Sequence, residues 1–376
     1  MRDDGPVVVD ARSRAERRAR EAWTGGPGPL LAAASFLYGA GVRGWSLLHE
    51  TGILGGGLPA LPVVSVGGVT VGGAGKTPLA AELAGVLEAG GIRTAVVTRG
   101  FPDELALHAR LAPGRLVLGH PDRARAVREA AARGAAAAVL DDGFQHRRLD
   151  RRLDVVALDA DLVGRVPWSL LPAGPFREPP GALGRAGAVV VTRREAGPEA
   201  AERLAGWVRR RLPGIPVARC ALETDGLRPW TPTRRGDPEA GSAGAARGPV
   251  AGDRPGGAAA AAASPAVALA GVMKPGPFLD AVRASGLRPG LAVLLPDHGT
   301  PDAPLLERIV SAARGRGVVT TAKDAARLAD VFPGDVPVLV VEERLTWEEG
   351  VDELRAALLA AVRGEPADGA TTATAR

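Results

Sequence analysis

The residues best suited to chemistry lie in a glycine-rich segment around position 75. The run Val71-Gly72-Gly73-Ala74-Gly75-Lys76-Thr77-Pro78 places three glycines before a lysine and a threonine. Glycines let successive backbone N–H groups face a phosphate, the lysine can reach the β- and γ-phosphates, and the threonine hydroxyl can hold Mg²⁺. We therefore predict a nucleotide-binding loop whose contacts are Gly72, Gly73, Ala74, Gly75, Lys76, Thr77 and Pro78. Thr70 stands where the full pattern has a further glycine.

A second cluster follows the apolar run 138–140, where Asp141-Asp142-Gly143-Phe144-Gln145-His146 begins. Acidic residues at a strand end, downstream of a phosphate loop, are what a phosphate-transferring site needs to hold Mg²⁺. Asp141 is the predicted metal partner, beside Thr77. Asp142 is available to orient or deprotonate a nucleophile, and His146 can contact a phosphate or support the acids. An ordinary acidic turn is the alternative interpretation of the Asp pair.

The elements that must position these residues alternate between strand and helix. A β-branched run at 62–66 precedes the loop and a helix at 79–89 follows it. Such alternation predicts an α/β fold with a mostly parallel sheet and helices on both faces, and its ligands lie at the carboxyl ends of the strands. The other predicted strands are 93–98, 136–140, 153–159, 188–192, 265–271, 290–295, 317–321 and 337–341, and the other helices are 122–133, 277–285, 303–314 and 347–363.

The same patterns divide the chain into segments. A phosphate-loop core and a smaller C-terminal α/β lobe carry nearly all of the predicted elements, while the charged start, the Gly/Ala/Pro/Arg-rich stretch and the polar end cannot build a core. The predicted segments are a disordered basic leader (1–28, with a loose helix as the alternative for 1–22), an amphipathic helix (29–55), the core (56–215), connecting strands with a flexible insertion (216–265), the C-terminal lobe (266–363) and a disordered tail (364–376).

Composition narrows the function only slightly. The chain has 376 residues and a formal charge of +5, but a basic balance does not choose among nucleic acid, a membrane surface and a phosphorylated substrate. The single cysteine, Cys220, excludes an intramolecular disulfide and a multi-cysteine metal site, which fits the cytoplasm.

The apolar run 29–42 is too short to span a membrane. On a helical wheel an apolar stripe with aromatic residues suits a helix lying in a membrane interface, although packing on the protein's own core is equally compatible with the pattern. A signal peptide is disfavoured, because no small-residue cleavage site is evident. The stripe consists of Leu30, Leu37, Tyr38, Gly41, Trp45 and Leu48.

Six separated motifs carry a resemblance to a known family. The chain resembles the tetraacyldisaccharide 4'-kinase family of lipid A biosynthesis over residues 28 to 362, and that family carries threonine at the position of Thr70. The resemblance implies transfer of the ATP γ-phosphate, with Mg²⁺, to the 4'-hydroxyl of an acylated glucosamine disaccharide 1-phosphate, giving lipid IVA. It also implies that residues 29–50 dock on the cytoplasmic face of the inner membrane, and it implies no nucleic-acid partner. The motifs are 66–78, 98–101, 141–149, 171–179, 296–298 and 320–325.

The resemblance also implies roles for individual residues. Asp103 in the segment 102–105 matches the family's base and pairs with Asp142, although the loop between Phe101 and Asp103 is shorter than the family's. Gly67-Gly68 replaces the family's Gly-Asn. His298, beside Asp297, is a separate candidate from the residues alone, expected to close over nucleotide from the second lobe, with ordinary loop structure as the alternative.

Arg123 and Arg177 are further candidates, for binding the substrate's anionic phosphate, with solvated surface arginines as the alternative. Two other classes of protein also fit the phosphate loop. One is a different small-molecule kinase or ligase, which has no need of an apolar N-terminal helix. The other is an ATPase that switches membrane or nucleic-acid association.

Overall fold

Parallel strands alternate with helices along most of the chain. The computed structural model describes residues 6–54, 57–163, 166, 168–230, 265–272, 275–297, 299–328, 331–333 and 336–365. The strands are β1 (Val7–Asp10), β2 (Val63–Gly68), β3 (Thr94–Thr98), β4 (Leu116–Gly119), β5 (Ala137–Asp141), β6 (Leu153–Asp159), β7 (Ala188–Arg193), β8 (Val217–Pro229), β9 (Val267–Ala270), β10 (Leu291–Leu294), β11 (Val318–Thr321) and β12 (Val338–Glu349). The helices are α1 (Arg14–Gly25), α2 (Pro29–Glu50), α3 (Lys76–Ala89), α4 (Pro102–Leu111), α5 (Arg123–Ala132), α6 (Pro198–Arg211), α7 (Pro275–Ala284), α8 (Ala303–Ala313), α9 (Ala322–Leu328) and α10 (Val351–Arg363), with a 3₁₀ turn at Pro180–Arg185.

The larger of two units contains residues 13–223 and 344–376. Its strands run in the order β8-β7-β6-β2-β5-β3-β4, and each neighbouring pair is parallel. Because β2 lies directly between β5 and β6, the loops that leave β2 and β5 emerge side by side at the carboxyl edge of the sheet. The predicted α/β architecture is therefore confirmed, and this edge carries the residues for which chemistry was predicted.

Alternating strand residues cover the two faces of this sheet. Val64 and Val66 of β2 pack with α3 and α10, whereas Val63 of β2 packs with α5 and with Leu140 of β5. These strand residues are fully buried, as expected for a parallel sheet covered by helices on both sides.

The smaller unit contains residues 1–12 and 224–343. Its strands run in the order β1-β10-β9-β11-β12 and are also parallel. Leu269 of β9 packs toward Ile309 of α8, and Ala268 of the same strand packs toward Phe278 of α7. This unit thus repeats the same layered plan with its own core.

The expected disordered leader is corrected where the structure describes it. Val7–Asp10 pairs in parallel with β10, and residues 14–25 form a helix, which agrees in part with the alternative of a loose helix for 1–22 and not with disorder. Ser13 accepts a hydrogen bond from the Glu16 backbone N–H, and the Glu16 side chain accepts one from the Ser13 backbone N–H. This reciprocal capping box satisfies two N–H groups that would otherwise lack partners, so an Arg-rich segment can begin a stable helix.

The closing helix is also corrected. It was expected to start at residue 347 and to belong to the C-terminal lobe, but it is α10 of the larger unit, and Trp347 lies in strand β12. Leu354 and Leu358 are fully buried against the α3 side of the sheet. A helical period shows that a face is apolar, but it does not show which partner covers that face.

Helix α4 and strand β4 were not predicted. Pro102 occupies the first turn of α4, with Asp103 and Glu104 beside it. Residues 234–264 of the insertion predicted at 234–265, and residues 366–376 of the tail predicted at 364–376, fall outside the described residues.

Candidate active site

The glycine-rich loop joins the end of β2 to the start of α3. Gly72, Gly73 and Gly75 have φ values of 61°, 76° and 67°. These values lie in the left-handed region that favours glycine. A Cβ at Gly75 would also come within 2.3 Å of Leu222 Cδ1, so a larger residue would require the Leu222 side chain to move as well as adopting an unfavourable φ. The loop therefore has the backbone form that directs N–H groups toward an anion at a helix N-terminus.

Neighbouring segments brace this loop from two sides. The Thr192 hydroxyl donates to the Ala74 carbonyl at 3.2 Å, and the Arg194 guanidinium donates to the Gly73 carbonyl. On the other side, Val71 N donates to the Pro175 carbonyl at 2.9 Å and Arg177 N donates to the Val69 carbonyl at 2.7 Å. The 175–177 segment is thus joined directly to the phosphate loop.

Asp142 lies between two cations. Lys76 Nζ is 2.7 Å from its Oδ1, and Arg177 Nη1 is 3.0 Å from both of its oxygens. Burial raises the pKa of Asp142, but the ion pairs with Lys76 and Arg177 outweigh it and hold the pKa well below its ordinary value. Asp142 has a φ of 53°, unusual for a residue other than glycine. The structure therefore brings together Lys76, Asp142 and Arg177, three residues that the sequence singled out.

Asp141, the preceding residue, has different partners. Its Oδ2 lies 3.0 Å from His108 Nε2 of helix α4, and its backbone carbonyl accepts from Arg123 Nη2 at 3.2 Å. His108 was given no partner by the sequence, because helix α4 was not predicted and the two residues are 33 positions apart.

A cavity of about 610 Å³ opens beside Asp142. Burial and the nearby Arg99 lower the pKa of Arg123, and burial together with Arg123, Arg151 and Arg148 lowers the pKa of His146. Both pKa values are lowered, as expected where positive charges lie close together. A bound anion would offset this positive potential. The cavity is lined by Arg99, Gly100, Phe101, Gly119, Pro121, Arg123, Asp142 and His146.

Arg123 is the most deeply placed charge of this cavity. Only 2% of the residue is exposed, and its Nη1 has no hydrogen-bond partner among the described residues. Arg123 also lines the cavity, and a planar guanidinium there is suited to phosphate oxygens.

Asp103, the predicted base, is 2% exposed and is not among the residues that line this cavity. Thr77 follows Lys76 in the first turn of α3, and Pro78 follows Thr77. His298 lies outside the described residues. Within the described part of the chain, no group of three or more His, Cys, Asp or Glu side chains is arranged to hold a metal ion. Thr77 and Asp141 offer a hydroxyl and a carboxylate oxygen, and Mg²⁺ commonly takes one or two such protein ligands together with phosphate and water.

A further polar network supports Arg177. Gln145 Nε2 donates to the Gly68 carbonyl and to Glu178 Oε1, both at 2.9 Å, and Arg185 binds Glu178 with two nitrogens at 2.8 and 3.0 Å. The Gln145 contact with Gly68 falls at the position where the family was expected to have asparagine. Glu178 and Arg185 were assigned no role from sequence, although Glu178 lies in a motif quoted for the resemblance.

Helix α2 carries its large apolar side chains outward. None of its residues is buried, and Leu30, Phe36, Leu37 and Trp45 are 83%, 77%, 70% and 41% exposed. The side toward the protein uses small residues, as Gly39 shows, since a Cβ there would come within 2.9 Å of Leu170 Cδ1. No helix in the described portion of the chain is long and apolar enough to cross a membrane.

Hydrogen bonds attach this helix to the segment that carries Arg177. Ser35 Oγ donates to the Leu170 carbonyl at 2.8 Å, and Tyr38 Oη donates to the Arg177 carbonyl at 3.0 Å. Two hydroxyl groups of the helix thus face the protein, while its exposed apolar side chains face outward.

Comparison with known proteins finds a matching family model, similar sequences and a similar fold. A family model described as tetraacyldisaccharide-1-P 4'-kinase matches residues 28–114 and 102–363. A tetraacyldisaccharide 4'-kinase of Anaeromyxobacter dehalogenans (strain 2CP-C) is 38% identical, over 89% of this chain and 93% of the relative. One of Methylobacterium nodulans is 33% identical, over 92% and 95% of the two chains. A crystal structure of the "apo" form of LpxK from Aquifex aeolicus in complex with ATP is similar in fold, with a TM-score of 0.59 and 22% identity over 88% of this chain and 98% of that chain.

Proposed function

The chain belongs to the tetraacyldisaccharide-1-P 4'-kinase family, and we propose that it transfers the γ-phosphoryl group of ATP to the 4'-hydroxyl of a tetraacylated glucosamine disaccharide 1-phosphate, giving lipid IVA. The observation that carries this proposal is the contact of Lys76 and Arg177 with Asp142 directly beside the phosphate loop. Phosphoryl transfer needs cations around the moving group and a carboxylate near the attacking hydroxyl. This cluster supplies both.

The phosphate loop and the N-terminus of α3 bind the nucleotide phosphates in this proposal. Backbone N–H groups of the loop face the phosphate oxygens, and Lys76 contacts the β- and γ-phosphates. Thr77 and Asp141 would hold Mg²⁺, which would supply positive charge to the phosphate groups when bound. Arg177 adds a second cation at the γ-phosphate side of Lys76.

The two remaining acids, Asp103 and Asp142, have different proposed roles because their surroundings differ. A general base is most effective when its pKa lies near the working pH, and Asp142 has a strongly lowered pKa because Lys76 and Arg177 contact it. We therefore assign the base to Asp103 and the orientation of the hydroxyl to Asp142. The sugar oxygen forms a bond to the γ-phosphorus while the bond from that phosphorus to the β–γ bridging oxygen breaks. The hydroxyl proton passes to Asp103 and the electron pair of the broken bond stays on ADP.

The cationic cavity suits a phosphorylated acceptor. Arg123 and Arg99 crowd positive charge there, and His146 is held toward its neutral form, in which one ring nitrogen accepts a hydrogen bond and the other donates one. We assign this cavity to the anionic phosphate of the disaccharide substrate, with Arg123 as its main contact.

Helix α2 is proposed to lie in the membrane interface. Its exposed apolar side chains suit the boundary between headgroups and acyl chains, and Arg148 lies over the Trp45 ring at 5.7 Å, where it can also meet anionic headgroups. Since ATP is cytosolic and the acceptor is a lipid, we place the protein on the cytoplasmic face of the inner membrane, as a peripheral or monotopic enzyme without a nucleic-acid partner.

The direct test is incubation of the purified protein with labelled ATP, Mg²⁺ and the acylated disaccharide 1-phosphate, followed by mass analysis of the lipid. We expect one added phosphate, located on the 4'-oxygen, and we expect Lys76→Ala to abolish the transfer. ATP hydrolysis without a phosphorylated lipid would instead favour a nucleotide-switched ATPase. Phosphorylation of a soluble sugar in preference to the lipid would favour another small-molecule kinase.

A further inference from the structure

A histidine of helix α4 is buried against the carboxylate of Asp141. His108 Nε2 lies 3.0 Å from Asp141 Oδ2, and the two side chains are 0% and 4% exposed. In this contact Nε2 donates and the carboxylate oxygen of Asp141 accepts. The other ring nitrogen, Nδ1, has no hydrogen-bond partner among the described residues.

Burying this imidazole costs free energy of hydration, which suggests that its hydrogen bond has a function. A polar ring loses its hydration on burial, and an apolar side chain would fill the same site without that loss. In return, the ring fixes one carboxylate oxygen of Asp141, and Arg123 holds the backbone carbonyl of the same residue at 3.2 Å. Asp141 is therefore restrained at both its side chain and its backbone, and Oδ1 is the oxygen left for a ligand.

We propose that His108 is a positioning residue that orients the Asp141 carboxylate toward Mg²⁺. The inference rests on the proposed function, because it takes Asp141 to be the metal ligand. Groups that hydrogen-bond a metal-binding side chain fix its orientation and raise the affinity for the metal. The same bond ties strand β5 to helix α4, whose first turn carries Asp103, so it also holds the element that bears the proposed base.

The test compares side chains that differ in the donor. His108→Met keeps an apolar side chain of similar length without an N–H group, and His108→Gln restores an N–H donor at nearly the same reach. Thr94→Val is the matched control, because it removes another buried hydrogen bond of the same sheet, from Thr94 Oγ1 to the Ile92 carbonyl at 2.9 Å, away from the site. Binding of Mn²⁺ to each full-length protein with a non-hydrolysable ATP analogue is measured from the electron paramagnetic resonance signal of free Mn²⁺.

We expect His108→Met to weaken Mn²⁺ binding by about 10–100-fold, the usual cost of losing such a supporting contact. The Mg²⁺ concentration for half-maximal turnover should rise in parallel, while metal-free nucleotide binding stays unchanged. His108→Gln should recover most of the Mn²⁺ affinity, and Thr94→Val should bind Mn²⁺ as the wild type does. If His108→Met does not fold, His108→Asn replaces it, since its shorter amide does not reach Asp141.

Two results would overturn the proposal. One is a folded His108→Met protein with wild-type Mn²⁺ affinity, and the other is a folded His108→Gln protein that binds Mn²⁺ as weakly as His108→Met. Asp141→Asn in the same titration separates this inference from the proposed function. If Asp141→Asn leaves Mn²⁺ binding intact, the assignment of the metal ligand itself is wrong. If Asp141→Asn weakens binding and the His108 variants do not, only the positioning role is lost.

Discussion

At the residue scale, the proposed chemistry assigns different roles to two acids in different surroundings. Asp142 is paired with Lys76 and Arg177, whereas Asp103 is buried in the first turn of α4. We expect Asp103→Asn to keep the shape, remove the proton acceptor and lower turnover by roughly 10²–10⁴-fold, with little change in ATP affinity. Turnover at saturating substrates and calorimetric ATP binding check this.

Two related substitutions serve as comparisons. Asp142→Asn should also lower turnover, whereas Asp141→Asn should chiefly raise the Mg²⁺ requirement. An Asp103→Asn enzyme with wild-type turnover would show that the short loop after Phe101 displaces this residue and that another acid accepts the proton.

His146 gives a prediction about pH. Burial and the neighbouring arginines lower its pKa, with Arg123 the largest of the charges. Near the ordinary value of about 6.5, the unfolded chain therefore binds more protons at this residue than the folded protein does. The stability that depends on neutral His146 is complete above about pH 6.5 and is lost as the pH falls below that value.

The measurement is an NMR titration of the His146 ring. We expect a midpoint below about 6.5 in the wild type, and a higher midpoint in Arg123→Gln because a nearby positive charge is removed. Arg93→Gln, an exposed arginine that hydrogen-bonds the Arg133 carbonyl, is the matched control. A midpoint that does not respond to Arg123→Gln would contradict the assigned cause.

The sequence predicts part of this site for a simple geometric reason. Lys76 and Asp142 follow strands β2 and β5, and the ends of parallel strands meet at one edge of a sheet. The bond between His108 and Asp141 was not predictable in this way. It depends on a helix that neither a long apolar period nor a strong cap marks in the sequence.

At the element scale, the exposure of helix α2 decides between the two interpretations that the sequence left open, a core helix and an interfacial helix. Its large side chains are exposed, so it is not a core helix, and an interfacial position is the proposal that remains. We expect the double substitution Leu37→Asp and Trp45→Asp to reduce co-sedimentation with anionic lipid vesicles while ATP binding stays near normal, because charge disfavours insertion of the apolar face.

Leu58→Asp is the control, since Leu58 is 92% exposed but lies outside the helix. Sedimentation of the double variant at the wild-type level would remove the support for an interfacial helix. A loss shared equally by Leu58→Asp would show a general effect of added negative charge.

Other elements show which signals a sequence contains. Ser13 and Glu16 have the spacing of a capping box, a local signal that the order of residues alone contains and that locates helix α1. Strand β1 has a much weaker sequence signal. It has only four residues, two of them largely exposed valines, and buried and exposed positions do not alternate clearly along it. Strand β1 pairs with β10, some 280 residues later in the chain, and the local sequence pattern does not predict such a long-range contact.

At the scale of the whole molecule, neither unit is a continuous piece of chain. The smaller unit takes residues 1–12 from the start, and the larger unit recovers residues 344–376 at the end. Prediction of segments in sequence order gave residues 1–12 no partner and placed the closing helix in the C-terminal lobe. Contact between distant segments, and not order along the chain, defines a unit.

Because residues 1–12 belong to the smaller unit, the contribution of strand β1 to that unit can be tested. Val7 N donates to the Gly290 carbonyl at 3.0 Å, and Ala11 N donates to the Leu294 carbonyl at 2.8 Å, so β1 covers the edge of β10. We expect Val8→Pro to disrupt β1, because proline has no N–H and fixes its own backbone angle. Hydrogen–deuterium exchange should then become faster at Leu291–Leu294 and stay unchanged at Thr94–Thr98 of the larger unit. Val8→Thr, which keeps a β-branched side chain at an exposed position, should exchange like the wild type. Unchanged protection of β10 in Val8→Pro would mean that residues 7–10 contribute nothing to the stability of the smaller unit.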